Sequence, residues 1–305
     1  MTQQHCILIE APVDNGKKRT GCLMGPDAYR TAGLAAALRD LGHAVSDLGN
    51  ITAAPVAPVQ TSHGAYQLEE TIGWTQSLAA TAHSAIAKAV PFFLGGDHAL
   101  SLESISGVNR HAIAQGRPQF VLWLDAHCDF HTVHTSTSGN LHGTPLAYLT
   151  IRDGFPKLQQ PIPQENVCIL GLRSVDRPEL DALASSQIAR HDMREIDEHG
   201  IAHPLSLFLA RVAAASGILH VSLDVDFLDP SVAPAVGTTV PGGATVREAH
   251  LVMEMLHESG LMTSLDLVEL NPFLDERGKT ALLMIDLAAS AFGRRMFDRP
   301  TRPFQ

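Results

Sequence analysis

Gln119-Phe-Val-Leu-Trp-Leu-Asp-Ala-His-Cys-Asp129 is the stretch on which the reading of this chain turns. Phe120 to Leu124 is an unbroken apolar run containing two aromatic residues, which reads as a strand buried on both faces. Asp125, His127 and Asp129 then follow at a spacing of two. Alternate residues of an extended chain point the same way, so the three project together if the extended form continues to Asp129. They would do so at the carboxyl end of the strand, where open α/β sheets bind ligands. Ile218-Leu-His-Val-Ser-Leu-Asp-Val-Asp226 repeats the design and ends in Asp224 and Asp226. Pro91-Phe-Phe-Leu-Gly-Gly-Asp-His98 is a third version, ending in a Gly-Gly turn and His98. Carboxylates gathered without counter-charge repel one another and shift their pKa values. Cations would remove that cost.

Around these strands the chain alternates β and α. Strands are expected at 5–9, 44–48, 92–94, 120–124, 167–170, 188–192, 218–224 and 263–268. Helices are expected from Gly25-Pro26 to Leu41, over 66–90, 99–115 and 144–151, from about 179, over 204–215, from a Thr245/Glu248 capping box to Ser259, and over 279–293. Residues 51–59 and 130–143 read as loops, the second dense in hydroxyls and histidines. The alternation predicts a three-layer α/β/α fold on a mostly parallel, roughly eight-stranded sheet, with right-handed crossovers. Neither a repeat nor a linker interrupts it, so residues 1–305 read as one domain.

Composition bounds the function. A chain of 305 residues, 45% hydrophobic, can bury a large core. A net charge of −10 argues against nucleic acid, which needs a basic face. The apolar runs fall short of the ~18 residues of a membrane span. The start, Met1-Thr-Gln-Gln-His-Cys6, lacks the regions of a signal peptide, so a cytoplasmic enzyme is expected. Cys6, Cys22, Cys128 and Cys168 show no paired short spacing and read as reduced thiols.

His98, Asp125, His127, Asp129, Asp224 and Asp226 are too many ligands for one open catalytic site, and they suit two ions if carboxylates bridge. An oxygen-rich set with some imidazole suits Mn²⁺. Two such ions about 3.5–4 Å apart can hold a bridging hydroxide. A lone Asp after a strand is usually a turn or cap residue, and Asp97 and Asp229 are read that way. Most of the 16 histidines have no part in chemistry. The recurrence of the pattern on three strands is what favours a dinuclear centre.

These motifs resemble those of the ureohydrolase family, which includes the arginases, and the likeness runs from Gly25-Pro26 to Glu269-Leu-Asn-Pro272. It implies two Mn²⁺ per subunit. His98 and Asp129 would hold one, His127 and Asp226 the other, with Asp125 and Asp224 bridging. It implies hydrolysis of a guanidino group, here L-arginine to L-ornithine and urea, by the bridging hydroxide. Ser138-Gly-Asn-Leu-His-Gly143 is similar to the arginase loop, so Ser138 and Asn140 would receive the substrate carboxylate. His131 stands there where Asn is common. Asp176 and Glu179 would receive the α-ammonium. His142 would shuttle the proton, and Glu269, with Thr238 near it, would orient the guanidinium. A trimer or hexamer is the usual assembly, and the tail from Arg294 to Phe304 could be an interface arm.

An agmatinase or guanidinobutyrase on the same metals is the alternative. A phosphoesterase is disfavoured, because no basic residue adjoins the three ligand motifs in sequence. A binding protein that had lost catalysis is disfavoured because the full residue set is present.

Overall fold

The computed structural model describes residues 3–14, 17–57, 65–150 and 160–295. Its strands are β1 His5–Ala11, β2 Ala44–Asn50, β3 Val90–Gly95, β4 Gln119–Leu124, β5 Val167–Leu172, β6 Ala189–Asp192, β7 Ile218–Asp224 and β8 Met262–Val268. They form one sheet in the order β2-β1-β3-β8-β7-β4-β5-β6, and every neighbouring pair is parallel. The helices are α1 Gly25–Ala32, α2 Leu34–Asp40, α3 Leu68–Ile86, α4 Ser101–Ala114, α5 Pro145–Thr150, α6 Arg177–Ala184, α7 Met193–His199, α8 Ala202–Ala214, α9 Val246–Ser259 and α10 Lys279–Ala291.

Three layers follow from strand alternation. Leu122 and Leu124 of β4 pack into one core, with Cys6 and Leu8 of β1 and Phe92 and Leu94 of β3. Val121 and Trp123 pack on the opposite face, and so do Ile7, Ile9 and Phe93. The first face is covered by α1, α2 and α7 to α10, through residues such as Leu34, Ile196, Phe208, Val252 and Met284. The second is covered by α3 to α6, through Leu78, Ile105, Leu146 and Leu183. Strands apolar throughout are what a sheet covered on both sides requires.

Three expectations are corrected. The helix expected from Gly25 to Leu41 is two helices, because Gly33 takes φ 95° between them and closes α1. The long Ala-rich helix stops at Ile86, and Val90 begins β3, where a β-branched residue suits the sheet. Helix α7 was not expected. It has one buried apolar residue, Ile196, too little to give a helical period, and Asp192 caps it by accepting from Glu195 N at 2.8 Å. The end of the loop at 51–59, residue 151 of the helix at 144–151, and the C-terminal arm beyond 295 lie outside the described residues.

Candidate active site

The carboxyl ends of the four central strands β3, β8, β7 and β4 carry His98, Glu269, Asp224/Asp226 and Asp125/His127/Asp129 respectively. The spacing of two does not come from strand alternation, as expected. Strand β4 stops at Leu124. Asp125 Oδ1 then accepts from His127 N at 2.7 Å, Asp224 Oδ1 from Asp226 N at 2.7 Å, and Asp97 Oδ1 from Ala99 N at 3.0 Å. The same aspartate-headed turn ends all three strands. In Asp125 and Asp224 the side chain makes the turn with one oxygen and turns the other toward His98; Asp97 makes the turn that precedes His98. The modest turn role and the metal role are thus carried by the same residues. Asp129 arrives by a left-handed residue, φ 46°, and Glu269 by another, φ 64°. Non-glycine residues held there cost free energy and mark places where structure serves a site.

His98 Nδ1 lies 3.0 Å from Asp125 Oδ2, 3.1 Å from Asp129 Oδ2 and 3.0 Å from Asp224 Oδ2. None of these contacts has hydrogen-bond geometry. The ligand atoms of His98, Asp125 and Asp224 lie within 4.8 Å of one another, a spacing a cation can bridge. His127 Nδ1 lies 3.0 Å from Asp226 Oδ2 and 3.5 Å from Asp125 Oδ1. Two clusters result, His98/Asp125/Asp224 and Asp125/His127/Asp226, and they share Asp125. Burial and mutual repulsion raise Asp224 and Asp226 and push Asp129 up to about 6. Burial opposes charge on the two histidines, but the surrounding aspartates outweigh it and hold both high, His127 at about 12. Protons on these rings stand in for positive charge that divalent ions would supply. The donor set, its sharing through Asp125 and its buried negative charge fit two hard or borderline divalent ions.

Two neighbours missed in the sequence brace these residues. Trp123 Nε1 donates to Asp125 Oδ2 at 2.9 Å, and its ring stacks on His98 with centroids 4.1 Å apart. Ser222 Oγ lies 2.9 Å from His98 Nε2, fixing the far side of the imidazole. Only their contacts reveal them, because an apolar strand always offers a Trp or Ser somewhere.

A cavity of about 240 Å³ opens above the cluster. Of the expected residues, His98, His127, Asp129, His131, Ser138, Asn140, His142, Glu179, Asp224, Asp226, Thr238 and Glu269 line it. Ser136 and Gly143 join them unanticipated. Asp125 lies beneath the walls, 1% exposed. Asp176 is not a wall either: it forms a capping box with Glu179 at the start of α6, and its Oδ2 meets His131 Nε2 at 3.1 Å. Thr238 Oγ1 donates to Asp226 Oδ2 at 3.3 Å, so in this structure it serves the aspartate cluster. Cys128 is buried as a core thiol.

Glu269 is 2% exposed and engaged on both oxygens. Oε1 accepts from His98 N at 3.0 Å and meets His142 Nδ1 at 3.2 Å. Oε2 accepts from Lys17 Nζ at 2.7 Å. Burial opposes its charge, yet Lys17 and His142 outweigh that and hold the carboxyl well below the usual range. Glu269 in turn raises His142 against burial. Basic residues therefore do approach the site, although none adjoins its motifs in sequence. Arg173 spends its guanidinium on the carbonyls of Gly171, Asp226, Phe227, Leu228 and Val240, and Lys17 meets Glu269. Neither lines the cavity, so the case against a phosphate substrate now rests on where these cations face.

The family model described as the Arginase family matches residues 4–293. The chain belongs to the arginase family. A protein from Brucella melitensis named Arginase is 58% identical over 302 residues, covering 97% of this chain and 99% of its own. One from Agrobacterium fabrum, also named Arginase, is 56% identical, with 98% and 94% covered. The solved arginase from Bacillus caldovelox superposes with a TM-score of 0.88 at 37% identity, covering 96% of this chain and all of that one. Membership makes the chain a hydrolase of the arginase type, and the eight-stranded parallel sheet between two helical layers is the arginase fold. No helix among the described residues is long and apolar enough to cross a membrane.

Proposed function

We propose that this arginase-family hydrolase works as one catalytic domain on L-arginine, giving L-ornithine and urea. The observation that carries the reading is the cavity itself. Its walls combine His98, His127, Asp129, Asp224 and Asp226 with Glu269 and His142, and also include Ser138, Asn140, His131 and Glu179. That set offers chemistry for a guanidinium at one end of a substrate and for amino-acid groups at the other.

His98, Asp125, His127, Asp129, Asp224 and Asp226 would hold two Mn²⁺. When bound, the ions supply an activated water and balance four carboxylates. The protein's own residues do the rest. Glu269, kept ionised, faces the guanidinium, and a carboxylate is its natural planar partner. This confines the electrophilic carbon over the cluster, and such confinement is a large part of catalysis. His142 has Nδ1 tied to Glu269, so Nε2 is the nitrogen that delivers a proton to the departing amine. Ser138 and Asn140 would receive the α-carboxylate. Glu179, with Asp176 behind it and His131 beside it, would receive the α-ammonium.

The contact between His131 and Asp176 favours a second reading. An Asp176 already partnered has less call on an α-ammonium, which would admit guanidinobutyrate, a guanidino acid without that group. Urea release from L-arginine, from agmatine and from guanidinobutyrate, by protein stripped of metal and reloaded with Mn²⁺, decides between them. Turnover of arginine alone, dependent on Mn²⁺, is expected. Turnover of guanidinobutyrate or of agmatine at a comparable rate would overturn the amino-acid specificity and leave the hydrolase. We place the enzyme in the cytoplasm as a trimer or hexamer, and light scattering on the purified chain measures the assembly.

A further inference from the structure

Lys17 lies on the loop after β1, 252 positions from Glu269 in sequence, yet its Nζ sits 2.7 Å from Glu269 Oε2. The lysine is 5% exposed. It also meets Cys22 Sγ at 2.8 Å and Asp14 Oδ1 at 3.8 Å. Burial works against its charge, and Glu269, Cys22 and Asp97 together overcome this and keep it an ammonium. The loop is anchored at both sides of the lysine. Asp97 N donates to Val13 O at 2.7 Å, and Gly21 N donates to Asp14 Oδ2 at 2.6 Å. Gly96 packs so closely on the loop that a Cβ there would fall 1.7 Å from Val13 O.

The consequence for Glu269 is geometric. Its Oε1 takes His98 N and His142 Nδ1, and its Oε2 takes Lys17 Nζ, with Cys22 Sγ at 3.5 Å. Glu269 lines the cavity and Lys17 does not. A cation so placed braces the carboxylate without occupying the substrate's space. A buried ion pair adds little stability over a well-packed apolar pair, so stability alone is a poor reason for it to be there.

We infer that Lys17 is a positioning residue, one that fixes the rotation of Glu269 so that the carboxylate meets the guanidinium as the reaction proceeds. The inference rests on the proposed role of Glu269. Of the partners of Lys17 only Glu269 lines the cavity, so its removal harms the transition state more than substrate binding.

The test is a double-mutant cycle on the Mn²⁺-loaded enzyme with L-arginine, using Lys17→Met, Glu269→Gln and the double variant. Metal content and thermal unfolding are measured for each. Lys17→Gln keeps a donor without the charge and stands in if the Met variant does not fold. Lys17→Met is expected to lower kcat by about 30-fold or more with KM within about threefold, the pattern of an interaction realised in the transition state. In the Glu269→Gln background the same change should cost less than about threefold, since residues acting as one unit are not additive. An undiminished kcat in both Lys17 variants, or an equal loss in the Glu269→Gln background, would overturn the inference. If Glu269→Gln itself keeps the parent kcat, the role of Glu269 falls and the inference with it. That result is distinct from Lys17 failing alone, where Glu269→Gln is damaged and the Lys17 variants are not.

Discussion

At the scale of single residues, the site is held by side chains that never touch substrate. Trp123 is the clearest case. Its indole N–H fills the one Asp125 oxygen that the strand-end turn leaves unused, and its ring lies flat on His98. Groups that orient metal ligands typically change metal affinity by about 10–100-fold when lost. Trp123→Phe keeps the ring and removes the donor. It should weaken Mn²⁺ binding by about tenfold, within that range, and leave the fold intact. Competition with a metal-sensing dye measures this, and unchanged affinity would show that Asp125 needs no such partner. The Asp and His residues at the strand ends were legible in the chain, because an Asp or His at the end of an apolar strand has no packing reason to be there. Trp123, Ser222 and Lys17 were not. Trp and Ser are ordinary in strands, Lys is ordinary in loops, and their roles exist only in the folded contacts: Trp123 with Asp125 and His98, Ser222 with His98, and Lys17 with Glu269 across 252 residues.

At the scale of elements, the strand ends are the devices that turn sequence into geometry. The Asp-x-His and Asp-x-Asp spacing was readable, but its cause was not. An extended strand and an aspartate-headed turn both place residues i and i+2 together, and only the backbone tells them apart. Helix boundaries followed the same logic: the Thr245/Glu248 capping box is local chemistry and forms as read, whereas the break between α1 and α2 rests on the left-handed conformation of Gly33 alone, which the apolar period of Leu34, Leu38 and Leu41 masks. Two substitutions separate elements that serve the fold from those that serve the site. Thr245→Ala removes the box at α9 and should cost about 1 kcal/mol, the usual worth of such a cap, with metal affinity unchanged. Gly96→Ala would drive its Cβ into Val13 O and push apart β3, which carries His98, and the loop that carries Lys17. It should cost more than about 3 kcal/mol if it folds, and weaken metal binding as well. Chemical denaturation and metal titration of both variants check the contrast. A Gly96→Ala protein with normal metal affinity would mean that the two segments are not coupled.

At the scale of the whole molecule, the site is a concentrated charge that the fold must accommodate, and pH exposes how. In the metal-free protein the folded-state pKa values of His98, His127 and His142 all lie above the unfolded value near 6.5. A group shifted this way contributes stability that is complete below about 6.5 and is lost as pH rises toward its folded value. His127, at about 12, therefore goes on losing its contribution throughout the neutral and alkaline range. Asp129, raised to about 6, has the same sign and has finished its loss by then. Carboxyls held low, such as Glu269, are ionised in both states above pH 6.5 and add no slope. Each histidine that stays protonated only in the folded state removes about 1.4 kcal/mol per pH unit. Metal-free protein should thus melt lower at pH 8.5 than at pH 6.5. The loaded protein should lose little stability over the same range. Ligands must shed protons to bind metal, so affinity rises with pH, and stabilisation grows with the logarithm of metal over Kd. The gap in Tm between the two forms should widen from pH 6.5 to 8.5 in scanning calorimetry at fixed Mn²⁺. A gap that stayed constant would mean that these six residues do not exchange protons for metal as a unit.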